Sequence, residues 1–260
     1  MKYGDKFFYT TETDDVIDFK IKAKKIDKNY KYIHKNIFYR FFAFFTYRFI
    51  ATPIMAFYYK FIKHIHFKNK KVLKQHKKGG YFIYANHTHQ MSDVFTPALM
   101  TLSKFPRLIT HADNVSMPFW GKFSQMWGAL PLPDTIDATK NFYSAIEYVL
   151  KKNDPIVIYP EAHLWPFYTK IRNFNSLSFR YPVKYNKPIY TFTTTYRERK
   201  KGKEPAIDIY VDGPFYPDSS LPVKEAQQKL RDQAYNQMVE RSKLSNYEYV
   251  TYEKRSNEND

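Results

Sequence analysis

Cysteine is absent from this chain of 260 residues, and glycine occurs only seven times. The absence of cysteine excludes a disulfide framework, a thiol nucleophile and a cysteine-ligated metal site. Apolar and aromatic residues make up 43% of the sequence, which provides a sizeable core and argues against disorder of the whole chain. The length corresponds to one full domain, with room for a small appended subdomain.

Long uninterrupted apolar runs are also missing. The longest candidate, residues 49–59, contains Pro53 and is bounded by Arg48 and Lys60, so it falls short of the roughly 20 apolar residues that span a bilayer. The first residues lack the apolar core of a secretory signal. We therefore expect a cytoplasmic protein that binds peripherally to the inner face of the cell membrane.

Acidic residues are absent between Asp27 and Asp93, although lysine and arginine recur throughout that segment. Such a segment, in a chain with a net charge of +17, favours anionic partners such as a membrane surface, nucleic acid or an acidic carrier protein. A general enrichment in lysine is the alternative explanation. It would not explain why the acids are missing from one segment only.

Residues 28–78 combine this basic character with many aromatic side chains. They predict two helices, separated near Pro53, that lie in or against a membrane interface, with aromatic rings at the headgroups and lysine or arginine extending to water. Alternatively, the same aromatics pack on the main domain as ordinary core helices. We assign residues 1–76 to an N-terminal arm and this membrane-associating segment, and residues 77–260 to the main domain with its C-terminal helix.

Short apolar runs alternate with helical patterns in the main domain. This alternation predicts an α/β fold with a mostly parallel mixed sheet flanked by helices on both faces. One helix is expected to begin with Asp137 as its N-cap and another to begin at Pro222, and the tail after Asn246 is expected to fray. The predicted strands are YFIYANH, PRLIT, PIVIYPE, KPIYTFTTTY and AIDIYVDG, and a further helix is FWGKFSQMWGA.

His87 and Asp93 follow the first of these strands. A histidine at the carboxyl end of a strand, with an aspartate within two turns, is typical of a general base whose tautomer is held by the carboxylate. A structural hydrogen bond is the simpler interpretation. A metal site is a third, with His87, His89 and Asp93 as ligands and Glu161 or His163 as the fourth.

Glu161 follows the PIVIYPE strand in the same way. Ligands of open α/β sheets bind at the carboxyl ends of the strands, so this carboxylate is expected beside the His–Asp pair if the two strands are neighbours. The two strand ends together predict a site at this edge of the sheet.

Four segments carry a resemblance to the glycerolipid acyltransferase family, which includes the 1-acylglycerol-3-phosphate acyltransferases. NHTHQMSD resembles the first motif of that family, WGALPLPD lies where the second belongs, YPEAHLWP resembles the third, and KPIYTFTTT resembles the fourth. The likeness covers roughly residues 75–215. Bacterial members also carry a two-helix membrane-docking element before the first motif, a position that residues 37–67 occupy here.

The spacing in the first motif departs from the family pattern. Five residues separate His87 from Asp93, one more than usual, while three separate His89 from Asp93. We assign His87 as the base, because Asn86 precedes it and the strand exit matches the family's register. His89 is the alternative.

The residues expected to bind the acceptor also depart from the family. Residues 132–134 and 162–164 lack the arginines that hold the acceptor's phosphate in relatives. The resemblance implies that Glu161 positions the acceptor, and Lys170 and Arg172 are assigned as substitutes that bind the phosphate. Transfer to an acceptor without phosphate is the alternative.

The resemblance implies transfer of a fatty acyl group from acyl-CoA or acyl carrier protein to a hydroxyl of a lysophospholipid-type lipid acceptor. His87, oriented by Asp93, would remove the hydroxyl proton. No metal and no organic cofactor is expected beyond the acyl carrier, and the partners are the membrane lipid surface, the acyl donor and the lipid acceptor. A non-catalytic module that binds membrane or nucleic acid through basic and aromatic residues would explain the charge but not the paired motifs, so no nucleic acid is expected as a partner.

Overall fold

A seven-stranded mixed sheet forms the centre of the structure, a computed structural model that describes residues 1–17, 21–76 and 79–255. The strand order is β2-β8-β7-β3-β6-β4-β5. Strands β3 to β7 run parallel to one another, β8 pairs with β7 in the antiparallel sense, and β2 runs parallel to β8. The strands are β1 (Lys6–Tyr9), β2 (Ile65–Lys68), β3 (Phe82–Ala85), β4 (Arg107–Thr110), β5 (Ala129–Pro131), β6 (Ile156–Ile158), β7 (Ile189–Arg197), β8 (Ala206–Phe215) and β9 (Thr251–Lys254).

The helices cover both faces of this sheet. They are α1 (Ile37–Phe45), α2 (Thr52–Phe57), α3 (Gln90–Met100), α4 (Asp113–Ser116), α5 (Trp120–Met126), α6 (Ile136–Lys151), α7 (Arg180–Tyr185) and α8 (Val223–Ser242). The described residues also contain two π-helical turns, Thr46–Ala51 and Tyr58–Ile62, and two 3₁₀ turns, Lys70–Gln75 and Leu177–Phe179.

Strand β3 shows why both faces are apolar. Successive side chains of a strand point to opposite faces, so Phe82 and Tyr84 join the core formed with α6 and α8. Ile83 and Ala85 join a second core formed with α3 and the helical segment before it. All four β3 residues are buried, as expected for a strand covered on both sides. The predicted fold class is confirmed.

The prediction of two helices separated near Pro53 is wrong. Residues Ile37–Ile62 form one continuous helical segment, the long helix, in which α1 and α2 are linked by a π-helical turn and α2 is followed by another. The π-helical turn just before Pro53 pairs the N–H of Thr52 with the carbonyl of Tyr47, five residues back. Local π geometry of this kind lets a helix absorb an irregularity without ending.

The expectation that no segment is long enough to cross a bilayer also needs correction. The long helix has the length and the apolar composition of a membrane-spanning helix, although one third of its most apolar window is buried against the rest of the protein. One of its basic residues, Arg48, is bound to the rest of the protein. The guanidinium of Arg48 donates to the carbonyls of Ala98 and Thr101 at the end of α3. A single helix with these properties is weak evidence for spanning.

The chain termini meet in a separate two-stranded sheet. Strand β1 pairs in parallel with β9, in the register Lys6 to Thr251 through Tyr9 to Lys254. The expectation that the tail frays after Asn246 is therefore wrong as far as residue 255, the last one described. A smaller correction concerns α6, whose N-cap is Thr135 and not Asp137, since the Thr135 hydroxyl accepts the N–H of Ala138.

Strand β2 precedes the predicted domain boundary at residue 76, and it is an edge strand of the main sheet. The division of the chain into residues 1–76 and 77–260 stays a prediction.

Candidate active site

The carboxyl ends of β3 and β6 lie side by side, because these strands are parallel neighbours in the sheet. His87 follows β3, and Glu161 follows β6. The side-chain Nδ1 of His87 lies 2.7 Å from Oδ2 of Asp93. Asp93 is buried, while about a quarter of the His87 side chain is exposed.

Asp93 is held in place by two hydrogen bonds besides its bond to His87, and the helix dipole favours its charge. Its Oδ2 also accepts the backbone N–H of His89, at 3.0 Å. It lies in the first turn of α3, where the helix dipole favours a negative charge. The hydroxyl of Tyr159 donates to the backbone carbonyl of Asp93 at 2.6 Å, and the Tyr159 ring lies 4.6 Å from that of His87, centroid to centroid.

His89 has a different environment from His87. Its Nδ1 accepts the N–H of Ser92 at 3.2 Å, so His89 acts as the N-cap of α3. Burial lowers the pKa of His89, against the opposing effect of Asp93. The Nδ1 of His89 is thus occupied by a backbone hydrogen bond, whereas the Nδ1 of His87 faces a carboxylate.

Glu161 and Arg172 form an ion pair in the interior. The Nη2 of Arg172 donates to Oε2 of Glu161 at 3.1 Å, and neither side chain has any exposed surface. The same Oε2 accepts the backbone N–H of His87 at 3.1 Å, and Oε1 accepts the backbone N–H of Arg172. Burial raises the pKa of Glu161, while Arg172 opposes that shift. The pair thus fixes the main chain at the point where His87 leaves β3.

Both side chains are enclosed, so neither Glu161 nor Arg172 has exposed surface towards an acceptor in this structure, and their assignment as acceptor-binding residues stays a prediction. The guanidinium of Arg172 also donates to the carbonyls of Glu12 and His163, and it lies over the ring of Trp165. Its charge is therefore satisfied within the protein. Lys170, the other predicted phosphate ligand, is exposed in the loop that follows Glu161.

Several residues of the site were not predicted from the sequence. Tyr159 contacts both His87 and the main chain of Asp93, and its position directly before Pro160-Glu161 is the one signal that could have indicated it. Trp165 gives no such signal. It is fully buried, its N–H donates to the His87 carbonyl, and its indole N–H donates to the carbonyl of Asp14 in the N-terminal arm.

The metal interpretation finds no support in residues 1–17, 21–76 and 79–255, where no group of three or more histidine, aspartate or glutamate side chains is placed to hold an ion. His87 and His89 direct their Nδ1 atoms to different partners, Asp93 and the Ser92 N–H.

Fold and site together define a class: an α/β protein with a carboxylate-oriented histidine at the carboxyl edge of a mostly parallel sheet. The model of the family described as Acyltransferase matches residues 64–202, more than half of the chain. The chain belongs to this acyltransferase family, which confirms the resemblance drawn from the four motifs.

A solved structure agrees with this assignment. The fold is similar to that of PlsC, the 1-acyl-sn-glycerophosphate (LPA) acyltransferase from Thermotoga maritima, with a TM-score of 0.53 and 18% sequence identity, over 80% of this chain and 90% of that one. No curated protein matches the chain in a comparison of sequences.

Proposed function

We propose that this protein transfers a fatty acyl group from a thioester, acyl-CoA or acyl carrier protein, to the hydroxyl of a lysophospholipid-type acceptor at a membrane surface. One observation carries the proposal: in a chain of the acyltransferase family, Nδ1 of His87 lies 2.7 Å from the buried carboxylate of Asp93 while about a quarter of the His87 side chain is exposed. That arrangement suits a general base.

In the proposed reaction, His87 removes the proton of the acceptor hydroxyl as the oxygen attacks the thioester carbonyl. The new C–O bond forms, the C–S bond breaks, and the imidazolium returns the proton to the departing thiolate. Asp93 stabilises the imidazolium and holds Nδ1 protonated throughout. A positioned base of this kind contributes on the order of 10²–10⁴-fold to the rate.

Glu161 and Arg172 act as positioning residues in this proposal. Glu161 accepts the N–H of His87, and Arg172 neutralises Glu161 in the interior. Together they hold the loop between β3 and α3, so that the imidazole stays in reach of the acceptor.

The acceptor is proposed to be a lysophospholipid because relatives with this fold include an enzyme for 1-acyl-sn-glycerophosphate. Lys170 is the one predicted phosphate ligand whose side chain is exposed in this structure. As a flexible point charge, a lysine binds phosphate without the planar, bidentate geometry of arginine. The proposed phosphate contact is therefore a single cation, and a weaker preference for phosphorylated acceptors is expected.

Membrane docking is assigned to the long helix. One side, with Tyr47 and Tyr59, packs on the core, while aromatic side chains on the other side, among them Phe38, Phe41 and Phe49, are more than half exposed. Such a surface, in a segment without acids, suits an interface with anionic lipid better than water.

The test is incubation of the protein with labelled acyl-CoA, vesicles and two acceptors matched in acyl chain: 1-acylglycerol-3-phosphate and monoacylglycerol. The proposal predicts thiol release coupled to a new ester, with faster transfer to the phosphorylated acceptor. Thiol release without any ester product, or transfer only to water, would refute it. A Lys170→Gln variant tests the phosphate contact, and Lys184→Gln, also a surface lysine but on α7, is its control.

A further inference from the structure

A second group of exposed apolar side chains lies apart from the long helix. Phe119 and Trp120 are 70% and 58% exposed, and Ile136 is 84% exposed, with Leu132 beside it in sequence. A group of large apolar side chains this exposed is uncommon on a soluble surface and marks a contact with a partner or a membrane. We call Phe119, Trp120, Leu132 and Ile136 the edge patch.

The topology places the edge patch on the same edge of the sheet as the candidate active site. Phe119 and Trp120 follow β4, and Leu132 and Ile136 follow β5, so all four lie beyond the carboxyl ends of these strands. Strands β4 and β5 run parallel to β3 and β6, whose carboxyl ends carry the candidate site, and β4 is the direct neighbour of β6.

The backbone at Phe119, in the first half of the patch, is strained. Phe119 has a φ of 62° and a ψ of −58°, and the N–H of Trp120 donates to the carbonyl of Pro118 at 2.7 Å. This is a γ-turn of the strained type, which is rare for a bulky residue. Strain of this kind persists where the surrounding structure imposes it, and it is often found at functional surfaces.

Basic residues accompany the edge patch. The N–H of Lys24 donates to the hydroxyl of Ser116, and the N–H of Ile26 donates to the carboxylate of Asp134. The extended segment 22–26 therefore runs between the two halves of the patch, and Lys22, Lys24 and Lys25 are exposed. Asp134 and Asp137 lie near the second half, but the carboxylate of Asp134 is bound to the main chain.

The short helix α5 connects the edge patch to the long helix. Trp120 begins α5 and Trp127 follows its end, so the two rings are separated by about 10 Å of helix. The indole N–H of Trp127 donates to the hydroxyl of Thr46 in the long helix at 3.1 Å, and Phe123 packs against Trp127. One lipid surface could thus contact both apolar regions.

We infer that the edge patch, with Lys22, Lys24 and Lys25, is a second membrane-docking surface that binds an anionic bilayer and turns the carboxyl edge of the sheet towards the lipid. The inference rests on the proposed function only for the role of docking in the reaction. Binding to vesicles can be measured without acyl transfer. Exposed Phe and Trp enter the headgroup region, and the lysines are attracted to anionic lipid.

The experiment measures binding of the full chain to sucrose-loaded vesicles of equal parts phosphatidylglycerol and phosphatidylcholine. Replacing both rings in Phe119→Ser/Trp120→Ser is expected to weaken binding about tenfold or more. Removing the three lysine charges in Lys22→Gln/Lys24→Gln/Lys25→Gln should weaken it about fivefold per lysine at low salt.

The control is Val223→Ser. Val223 is 62% exposed, like Trp120, but it begins α8 after the antiparallel strand β8 and therefore lies at the opposite edge of the sheet. It should bind vesicles like the unchanged protein. Circular dichroism of each variant checks that the fold is retained.

Tryptophan fluorescence provides a second readout, because the chain has three tryptophans and only Trp120 is this exposed. Quenching by brominated lipid should fall in Trp120→Phe relative to the unchanged protein. Equal quenching, or equal vesicle affinity of Phe119→Ser/Trp120→Ser and Val223→Ser, would overturn the inference and leave the proposed reaction standing. Loss of self-association in the aromatic variant, with vesicle binding unchanged, would also overturn it and assign the patch to a second copy of the chain.

Discussion

Replacing Arg172 by methionine should destabilise the protein strongly, because it leaves the charge of Glu161 unpaired in the interior. The two side chains have no exposed surface, and the lost contacts include the 3.1 Å bond to Glu161, the 3.0 Å bond to the Glu12 carbonyl and the bond to the His163 carbonyl. Removing one partner of such a pair typically costs about 3–5 kcal/mol, a large part of a domain's stability. Lys151→Met, which breaks an exposed pair with Glu147, should change stability little, because water screens that pair.

The assay is urea unfolding followed by circular dichroism, with the two variants compared at several pH values. Burial already raises the pKa of Glu161 in the folded state, and loss of Arg172 raises it further. A raised carboxyl pKa means that the folded state binds the proton more tightly, so the stability deficit of Arg172→Met should shrink as pH falls from about 7 to about 5. Adding Glu161→Gln to Arg172→Met should recover part of the loss at neutral pH. If Arg172→Met is as stable as Lys151→Met, the interior pair does not hold the site as described.

The kinetics of Arg172→Met distinguish a role of Arg172 in positioning the site from a role in binding the acceptor's phosphate. A positioning role predicts a lower kcat with an unchanged preference between 1-acylglycerol-3-phosphate and monoacylglycerol. A rise of the KM for the phosphorylated acceptor alone would support the original assignment of Arg172 as a phosphate ligand.

Two further predictions concern the pH dependence of stability and the long helix. Because burial lowers the pKa of His89 and its Nδ1 must be unprotonated to cap α3, the free energy of unfolding should fall as pH drops below the ordinary value of 6.5. His89→Asn, which keeps an N-cap acceptor without titrating, should reduce that slope in urea unfolding, and an unchanged slope would contradict the assignment. Phe41→Ser/Phe49→Ser, on the exposed side of the long helix, should weaken the salt-resistant part of vesicle binding by about tenfold or more, because apolar area that enters the lipid is removed. Val223→Ser, which changes a similarly exposed residue on α8, should leave vesicle binding unchanged.

The strands and the His–Asp pair could be predicted because they depend on local sequence. The runs YFIY and IVIY are continuous apolar segments that end in polar residues, which is the pattern of parallel strands buried on both faces. The edge at which His87 and Glu161 meet follows directly from parallel strand pairing. Motif spacing alone does not decide between His87 and His89, because the first motif has one residue more than the family pattern. The choice depends on which imidazole caps α3 and which one faces Asp93.

The burial of Arg172 in an interior ion pair could not be predicted, because several of its partners are distant in sequence. Glu12 lies 160 residues away, and its carbonyl reaches the guanidinium only because β1 pairs with β9 beside Trp165. A basic residue in a polar loop resembles a ligand for phosphate until the chain around it is known. The sequence could not reveal that this arginine is enclosed.

The continuity of the long helix was missed for a local reason. Proline inside a helix removes a hydrogen bond and usually ends the helix or kinks it. Here the π-helical turn Thr46–Ala51 changes the hydrogen-bonding register just before Pro53, and the long helix continues to Ile62. No pattern of apolar residues reports such a change of register.

Acyl transfer by His87→Ala, measured beside His89→Asn and Asp93→Asn, tests the central claim most directly. The assay follows thiol release and ester formation from labelled acyl-CoA with 1-acylglycerol-3-phosphate in vesicles, after circular dichroism has shown that each variant is folded. We expect His87→Ala to lose on the order of 10²-fold or more in kcat/KM, since only the base is removed. Asp93→Asn should be strongly impaired, and His89→Asn should stay close to the unchanged protein. Full activity of His87→Ala together with an inactive, folded His89→Asn would contradict the account and move the base to the other histidine.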